Sequence, residues 1–316
     1  MMDYLMNLRP AQARLIAAVA SHGQLQVAAG VCQMTQPAAS RMLAEIEKNL
    51  STKLFDRTPK GMEPTPAGWV MVRHAERIAN DLWQMSQEFN DLKDGLGGTV
   101  RVGAVTGPAL GQLVPAIQKL KSDAPGVEIS VEVAPSVQLI QALDRGDLDF
   151  VLGRVPASAD WRDFAVEIAQ DEVVRLLVRD GHPLLCQAPV DMAALENLPW
   201  ILQDRGTPIR AAIETAFAEE GLHSPKDVIT TSSLLVIVAL VSQSDAVAPM
   251  SQEVLDMMLE PPVSANFKKL ALTRPVTVVP YQIVTKRHRV LPAAAVTLLR
   301  MVRERVLSHP SSPITG

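Results

Sequence analysis

The stretch Ala28-Ala29-Gly30-Val31-Cys32-Gln33-Met34-Thr35-Gln36-Pro37-Ala38-Ala39-Ser40-Arg41 decides how the N-terminal part of the chain folds. Thr35 is a good N-cap, and Pro37 falls in the first turn, where proline is tolerated. Ala39, Leu43, Ile46 and Leu50 then recur at helical spacing, so one side of this helix faces a core. At about 100° per residue the opposite side carries Pro37, Arg41, Ala44 and Lys48 with Ser40 beside them, and Thr35 and Gln36 stand at its N-terminal end. Those residue types suit a DNA major groove: Gln pairs with adenine edges, Arg with guanine or phosphate, Ser and Thr with either. Upstream, Leu15, Ala18 and Val19 mark one short helix, and Leu25, Ala28, Ala29 and Cys32 mark a second after the His22-Gly23 break. Cys32 sits on that apolar stripe and reads as core rather than as a redox sensor.

Downstream, Leu54-Phe55-Asp56-Arg57 and the run from Thr58 to Thr65 read as two short strands around a basic turn, a wing that sets Arg57 and Lys60 near phosphates. From Ala67 to Lys93 a continuous helix follows, with Met71, Ala75, Ile78, Leu82, Met85, Phe89 and Leu92 forming a heptad seam. Such a helix is about 39 Å long at about 1.5 Å per residue, and its seam calls for a second copy, hence a homodimer on a two-fold DNA site. Asp94-Gly95-Leu96-Gly97-Gly98 reads as a hinge.

The run Ala28-Ala29, Cys32, Thr35-Gln36-Pro37-Ala38-Ala39-Ser40-Arg41, then Ile46-Glu47, Leu54-Phe55, Arg57 and Thr65-Pro66-Ala67-Gly68 closely resembles the DNA-binding domain of LysR-type transcriptional regulators. The resemblance implies that Thr35, Gln36, Pro37, Ser40 and Arg41 belong to the recognition helix and Arg57 and Lys60 to the wing. Gln24, Cys32 and Ser51 depart from the usual serine, leucine and glycine of that pattern and touch caps and packing rather than the binding face.

Beyond the hinge, short β-rich runs alternate with helices: Thr99–Val105, Glu128–Val133, Phe150–Gly153, Glu172–Val178, Trp200–Leu202, Ile229–Thr231, Ala246–Ala248 and Ile283–Lys286. This is an α/β pattern. Its order, with the Gly146-Asp147-Leu148-Asp149 turn and Pro125, resembles the periplasmic-binding-protein-like effector domain of the same family, in which the chain crosses between two subdomains near Trp161 and again near Phe267. Ligands in open sheets settle beyond the strand ends against helix N-termini, which selects Thr106, Ser136, Arg154, Gln203, Arg205, Thr207, Ser232 and Met250 as effector-binding candidates. Arg154 and Arg205 follow strand ends and suit a carboxylate or a sugar hydroxyl. Val151-Leu152-Gly153-Arg154 resembles the branch of the family named for galactose-binding-protein regulation.

The bulk numbers fit several domains, since 316 residues exceed roughly two domains of about 150. The net charge of −4 must be divided: residues 1–66 hold seven Lys or Arg against five acids, and their balance of +2 leaves −6 on the remainder. That excess permits DNA binding without arguing for it. No apolar run approaches the roughly 18 residues of a membrane span, no secretory signal is legible, and Cys32 and Cys186 lie far apart, so a cytoplasmic, disulfide-free protein is expected. The six histidines have no metal-ligand spacing, and neither a nucleophile elbow nor a phosphate loop is present, so no enzyme, metal or cofactor is expected.

The expectation is thus a multi-domain chain: a winged helix-turn-helix over 1–66, a linker and dimerisation helix over 67–94, and an α/β effector domain over 95–316. Subdomain I would take about 98–161 and 268–302, and subdomain II about 162–267. Its function would be transcription regulation at promoters in response to an organic acid or sugar, as a homodimer or homotetramer, with RNA polymerase as a further partner. The alternative is a cytoplasmic small-molecule-binding protein or enzyme with no DNA role.

Overall fold

A computed structural model of the chain describes residues 2–59, 61–93 and 97–308. The chain divides into two compact units, Met1–Gly98 with Ala142–Leu148, and Thr99–Gln141 with Asp149–Gly316.

The first unit opens with α1 (Met2–Met6), α2 (Pro10–His22), α3 (Leu25–Val31) and α4 (Gln36–Leu50), then β1 (Phe55–Thr58), β2 (Gly61–Pro64) and the long α5 (Pro66–Lys93). α2 buries Leu15, Ile16 and Val19, α3 buries Ala28 and Ala29, and α4 buries Ala39, Leu43 and Ile46 in one cluster. Thr35 caps α4, its Oγ1 accepting from Ala38 N–H at 3.4 Å. Glu47 near the other end accepts from the backbone N–H of Leu54 (2.8 Å) and Phe55 (3.3 Å), which ties α4 to the first wing strand. The Thr65-Pro66-Ala67-Gly68 turn then locks the wing to α5. Thr65 Oγ1 donates to Lys53 O at 2.8 Å and accepts from Gly68 N–H at 3.0 Å, and a Cβ on Gly68 would lie 1.9 Å from Leu54 O, so only glycine fits there.

The heptad seam expected along α5 is divided by the structure. Met71 and Ala75 are buried with Val72 in the core of the first unit, so they are spent inside one copy of the chain. Ile78, Met85 and Phe89 remain exposed, with Leu82 half-buried, and the Leu92 side chain lies outside the described residues. The reason is size: three short helices and a two-stranded wing cannot close their own core, and the first turns of α5 complete it. The hinge residues 94–96 and Lys60 of the wing also lie outside the described residues.

The second unit begins with β3 (Thr99–Ala104), α6 (Thr106–Pro108), a π-helical turn over Ala109–Leu113 and α7 (Val114–Asp123). β4 (Glu128–Val133), α8 (Ser136–Arg145), β5 (Phe150–Gly153), β6 (Phe164–Ile168) and β7 (Glu172–Arg179) follow. Next come β8 (Trp200–Leu202), α9 (Pro208–Glu219), β9 (Val228–Thr230), α10 (Leu234–Ser242), β10 (Ala248–Ser251) and α11 (Gln252–Leu259). β11 (Phe267–Leu270), β12 (Val276–Val278), β13 (Gln282–Lys286) and α12 (Ala293–Ser308) complete it. One sheet has the order β4-β3-β5-β13-β6, parallel through its first three strands. In another, β10, β11 and β12 all pair antiparallel with β7, and the parallel pair β8-β9 forms a separate two-stranded sheet that adjoins it through the Trp200–Val247 bridge. Asp149, fully buried at the entry to β5, accepts from Arg101 N–H at 2.8 Å and pairs with Arg289 at 3.3 Å, which makes the Gly146–Asp149 turn structural.

Strand pairing moves both expected crossings. Phe164–Ile168 lies on β13 in the first sheet, so the chain leaves that sheet after Ile168 and not near Trp161. Phe267–Leu270 and Val276–Val278 both pair with β7, so the return comes after Val278 and not near Phe267. Phe267-Lys268-Lys269-Leu270 is too short and too charged to read as a strand alone; its partner makes it one. β10 likewise runs Ala248–Ser251 rather than Ala246–Ala248, with Pro249 tolerated because β10 is an edge strand.

Ser51, the C-cap of α4, has φ of 51° where a glycine carries no Cβ penalty. Ser51→Gly should therefore stabilise the first unit by about 1 kcal/mol, whereas Gly68→Ala should cost more than about 2 kcal/mol by forcing the Leu54 backbone aside. Calorimetric unfolding of the two variants beside the wild type checks both signs.

Candidate functional site

Two sites emerge, one in each unit. In the first, α4 keeps its apolar side on α2 and α3 and leaves Thr35, Gln36, Pro37, Arg41, Ala44 and Lys48 exposed, with Ser40 half-buried beside them. The Arg41 side chain lies along the helix, its Nε donating to Pro37 O at 3.4 Å. Arg57 is exposed on β1 of the wing. Between α4 and the wing runs a concavity of about 570 Å³, bordered by Ser40, Ala44, Lys53 and Arg57. Lys53, exposed beside Arg57, adds a cation that sequence reading passed over; its only signal is its place just before Leu54-Phe55.

In the second unit a cavity of about 590 Å³ lies between the elements of the two sheets. Seven of the eight effector candidates line it: Thr106, Ser136, Arg154, Gln203, Thr207, Ser232 and Met250. Arg205 does not; it is exposed, away from the lining. Several hydroxyls are already engaged. Thr207 Oγ1 donates to Asp204 O at 2.8 Å, Ser232 Oγ donates to Asp204 Oδ2 at 2.9 Å, and Ser136 Oγ accepts from Arg154 N–H at 3.1 Å. Met250 is both wall and core.

Arg154 lines the cavity with its guanidinium already engaged. Its Nη2 lies 2.8 Å from Glu172 Oε2, and Nε and Nη2 both donate to Val279 O, at 2.9 and 2.8 Å. The guanidinium is thus held by a carboxylate and a carbonyl of the protein itself. Glu172 was missed at the head of a strand; a glutamate opening the strand run Val173-Val174-Arg175-Leu176-Leu177-Val178 was the available signal. Arg210, also missed, is buried and donates to Gln203 O at 2.9 Å, fixing the backbone of a cavity residue.

Behind Glu172 sits a polar cluster of buried Ser251, Gln112 and Tyr281 with half-buried Glu253. Gly107 lets it close: a Cβ there would lie 2.7 Å from Glu172 Oε1 and 2.8 Å from Ser251 Oγ. Burial pushes the Glu253 carboxyl up, and the Glu172 charge adds to the effect. Burial likewise pushes the Tyr281 phenol up, with Glu253 and Glu172 contributing. Among the described residues no group of three His, Cys, Asp or Glu side chains is placed to hold a metal ion, and no helix is long and apolar enough to cross a membrane.

Because the folded state holds the Glu253 proton more tightly than the unfolded chain, this group's stabilising contribution is full below the unfolded carboxyl range, about pH 4. It fades as pH rises through the raised folded value. Glu253→Gln should therefore gain in melting temperature relative to wild type on going from pH 4.5 to pH 8; parallel pH dependences for the two proteins would contradict this.

Residues 10–69 match the family described as "Bacterial regulatory helix-turn-helix protein, lysR family", and residues 93–307 match "LysR substrate binding domain". The chain is 37% identical over 247 residues to the HTH-type transcriptional regulator GbpR of Rhizobium radiobacter, covering 78% of this chain and 82% of the relative. It is 34% identical to the GbpR of Azospirillum brasilense, covering 92% and 84%. Among solved structures, a full-length OxyR variant from Pseudomonas aeruginosa superposes with a TM-score of 0.66 at 22% identity, over 94% of this chain and 95% of that one. The LysR family regulator CbnR superposes at 0.65 and 18% identity, over 95% and 99%. The helix-turn-helix with its wing, the two-sheet cavity unit and these matches lead to one conclusion: the chain belongs to the LysR family of transcriptional regulators.

Proposed function

We propose that this protein controls promoters by binding DNA as a homo-oligomer through residues 1–66, pairing through the helix of 67–94, and answering a small-molecule effector held by 95–316. The observation that carries this reading is the bare face of α4, where Thr35, Gln36, Pro37 and Arg41 stand exposed over a closed core, with Ser40 and Ala44 of the same helix bordering a concavity with Lys53 and Arg57. A helix with that residue set fits the major groove, and Arg57, Lys60 and Lys53 suit the flanking phosphates. The protein acts in the cytoplasm by binding rather than by catalysis, and the effector belongs to the organic acid or sugar class. RNA polymerase is the partner through which an operator-bound copy would act.

Self-pairing rests on what α5 leaves uncovered. Ile78, Met85 and Phe89 are 39%, 51% and 60% exposed, an apolar row on a helix whose earlier turns are already packed. A long helix with such a row associates with a second copy. A two-fold pair would read two half-sites, and further pairing would give a tetramer.

Mobility shift on the intergenic DNA beside the protein's own gene tests the reading face. Arg41→Ala should weaken specific binding by about 1–3 kcal/mol, roughly 5- to 150-fold, with unchanged circular dichroism. Unaltered affinity would remove Arg41 from the interface, and no shift by wild type, with or without candidate effectors, would remove the DNA role altogether. Light scattering tests the seam: Phe89→Glu should convert the assembly to smaller species at micromolar concentration, and retention of the wild-type mass would place the pairing surface elsewhere.

A further inference from the structure

Arg154 and Glu172 are the two charged residues among those lining the cavity, and they face each other at 2.8 Å. The Arg154 side chain is 13% exposed and that of Glu172 6%, so little water screens the pair. Val279 O takes two further donors of the guanidinium. An arginine placed alone at a strand end would be a seat for an anion. Here an entering carboxylate meets a fixed negative charge beside the positive one, and Nε and Nη2 of the guanidinium are already engaged by Val279 and Glu172.

The rest of the polar lining consists of hydroxyls and an amide, and part of it is unmet. Gln203 Nε2 donates to Pro249 O at 3.0 Å, which fixes the amide, while its buried Oε1 has no partner among the described residues. Oε1 is an acceptor, so what satisfies it is a donor. Ser251, 2% exposed, lies against the Glu253 carboxyl, yet its Oγ makes no hydrogen bond of good geometry. A buried polar atom left without a partner favours whatever ligand completes it, and discriminates against one that cannot. A hydroxylated, uncharged molecule supplies donors without bringing a charge into a site whose own charges already cancel.

We propose that Glu172 sets the specificity of this cavity: by neutralising Arg154 it makes the site take an uncharged ligand bearing several hydroxyls and refuse carboxylates. This rests on the reading of the cavity as the effector site. Neither residue need touch the ligand through its charge; Glu172 acts by offsetting the charge of Arg154.

The test uses the full-length protein, calorimetric titration, and matched probes: D-glucose, D-galactose, D-xylose and myo-inositol against D-glucuronate and D-galacturonate. Wild type should bind at least one uncharged probe, at least tenfold more tightly than either uronate. Glu172→Gln should gain at least tenfold for a uronate. Removing one member of a buried pair endangers folding, so the double variant Arg154→Gln with Glu172→Gln is measured beside it. That variant, with neither charge, should still prefer the uncharged probe and refuse the uronates, whatever its absolute affinity. Uronate binding by wild type equal to that of the sugars, failure of every uncharged probe, or uronate binding by the double variant overturns the proposal. Ser136→Trp, which fills the cavity, separates the two levels: binding that survives it places the ligand elsewhere and overturns the effector-site reading itself.

Discussion

The first unit depends on a shortage of apolar surface. α2, α3 and α4 are short, and α4 must leave one face bare if it is to enter a groove, so only Ala39, Leu43 and Ile46 of that helix are buried. Small domains bury too little of their own surface to be comfortably stable. Met71, Val72 and Ala75 of α5 make up the deficit, and the Thr65–Gly68 turn brings α5 against the wing closely enough to deliver them. One consequence is mechanical. The helix that carries the exposed row Ile78, Met85 and Phe89 is rooted in the same core as α4, so pairing of two such helices would fix the distance between two reading faces without a flexible joint at the root of α5.

A comparable economy shapes the second unit. The two sheets are joined where the chain passes from Ile168 to Glu172 and back from Val278 to Gln282, and Arg154, Glu172 and Val279 meet there. Buried ion pairs are weak sources of stability, because desolvation offsets most of the attraction. Their geometry is nevertheless demanding, and this one spans from the residue after β5 to the first residue of β7, with both ends at the cavity wall. The pair is better understood as defining how the two sheets face each other and what charge the cavity presents.

How much of this was legible in sequence follows from where the information lies. The α4 face could be read directly, because helical periodicity separates buried Ala39, Leu43 and Ile46 from exposed Gln36, Pro37 and Arg41 within a single element. The cavity residues were found by a positional rule about strand ends, and that rule located Thr106, Ser136 and Gln203 without saying what each side chain does. The partners of Arg154 were hidden for this reason: Glu172 and Val279 lie 18 and 125 positions away, on strands and turns whose pairing no local pattern reports. Arg205 shows the converse, a residue near a strand end whose side chain points to solvent. The division of the α5 seam was also hidden, since a heptad pattern states that a face is apolar but not which neighbour covers it.

A regulator of this design works only if its ligand distinguishes two arrangements of the protein, because equal affinity for both shifts nothing. Linkage then makes the effect reciprocal: whatever factor the effector contributes to operator affinity, the operator contributes to effector affinity, with typical couplings of about 1–3 kcal/mol. The cavity offers a physical source for such a difference. Its walls come from different sheets, with Thr106 and Ser136 from the ends of β3 and β4 and Gln203 and Ser232 from the ends of β8 and β9, so a ligand bridging them is sensitive to their separation. The Arg154–Glu172–Val279 contact resists change in that separation, while the unmet Gln203 Oε1 and Ser251 Oγ reward a ligand that draws the walls into register. The balance between a stiff neutral pair and a few unsatisfied hydrogen-bonding atoms is therefore where effector chemistry would be converted into a preference between conformations.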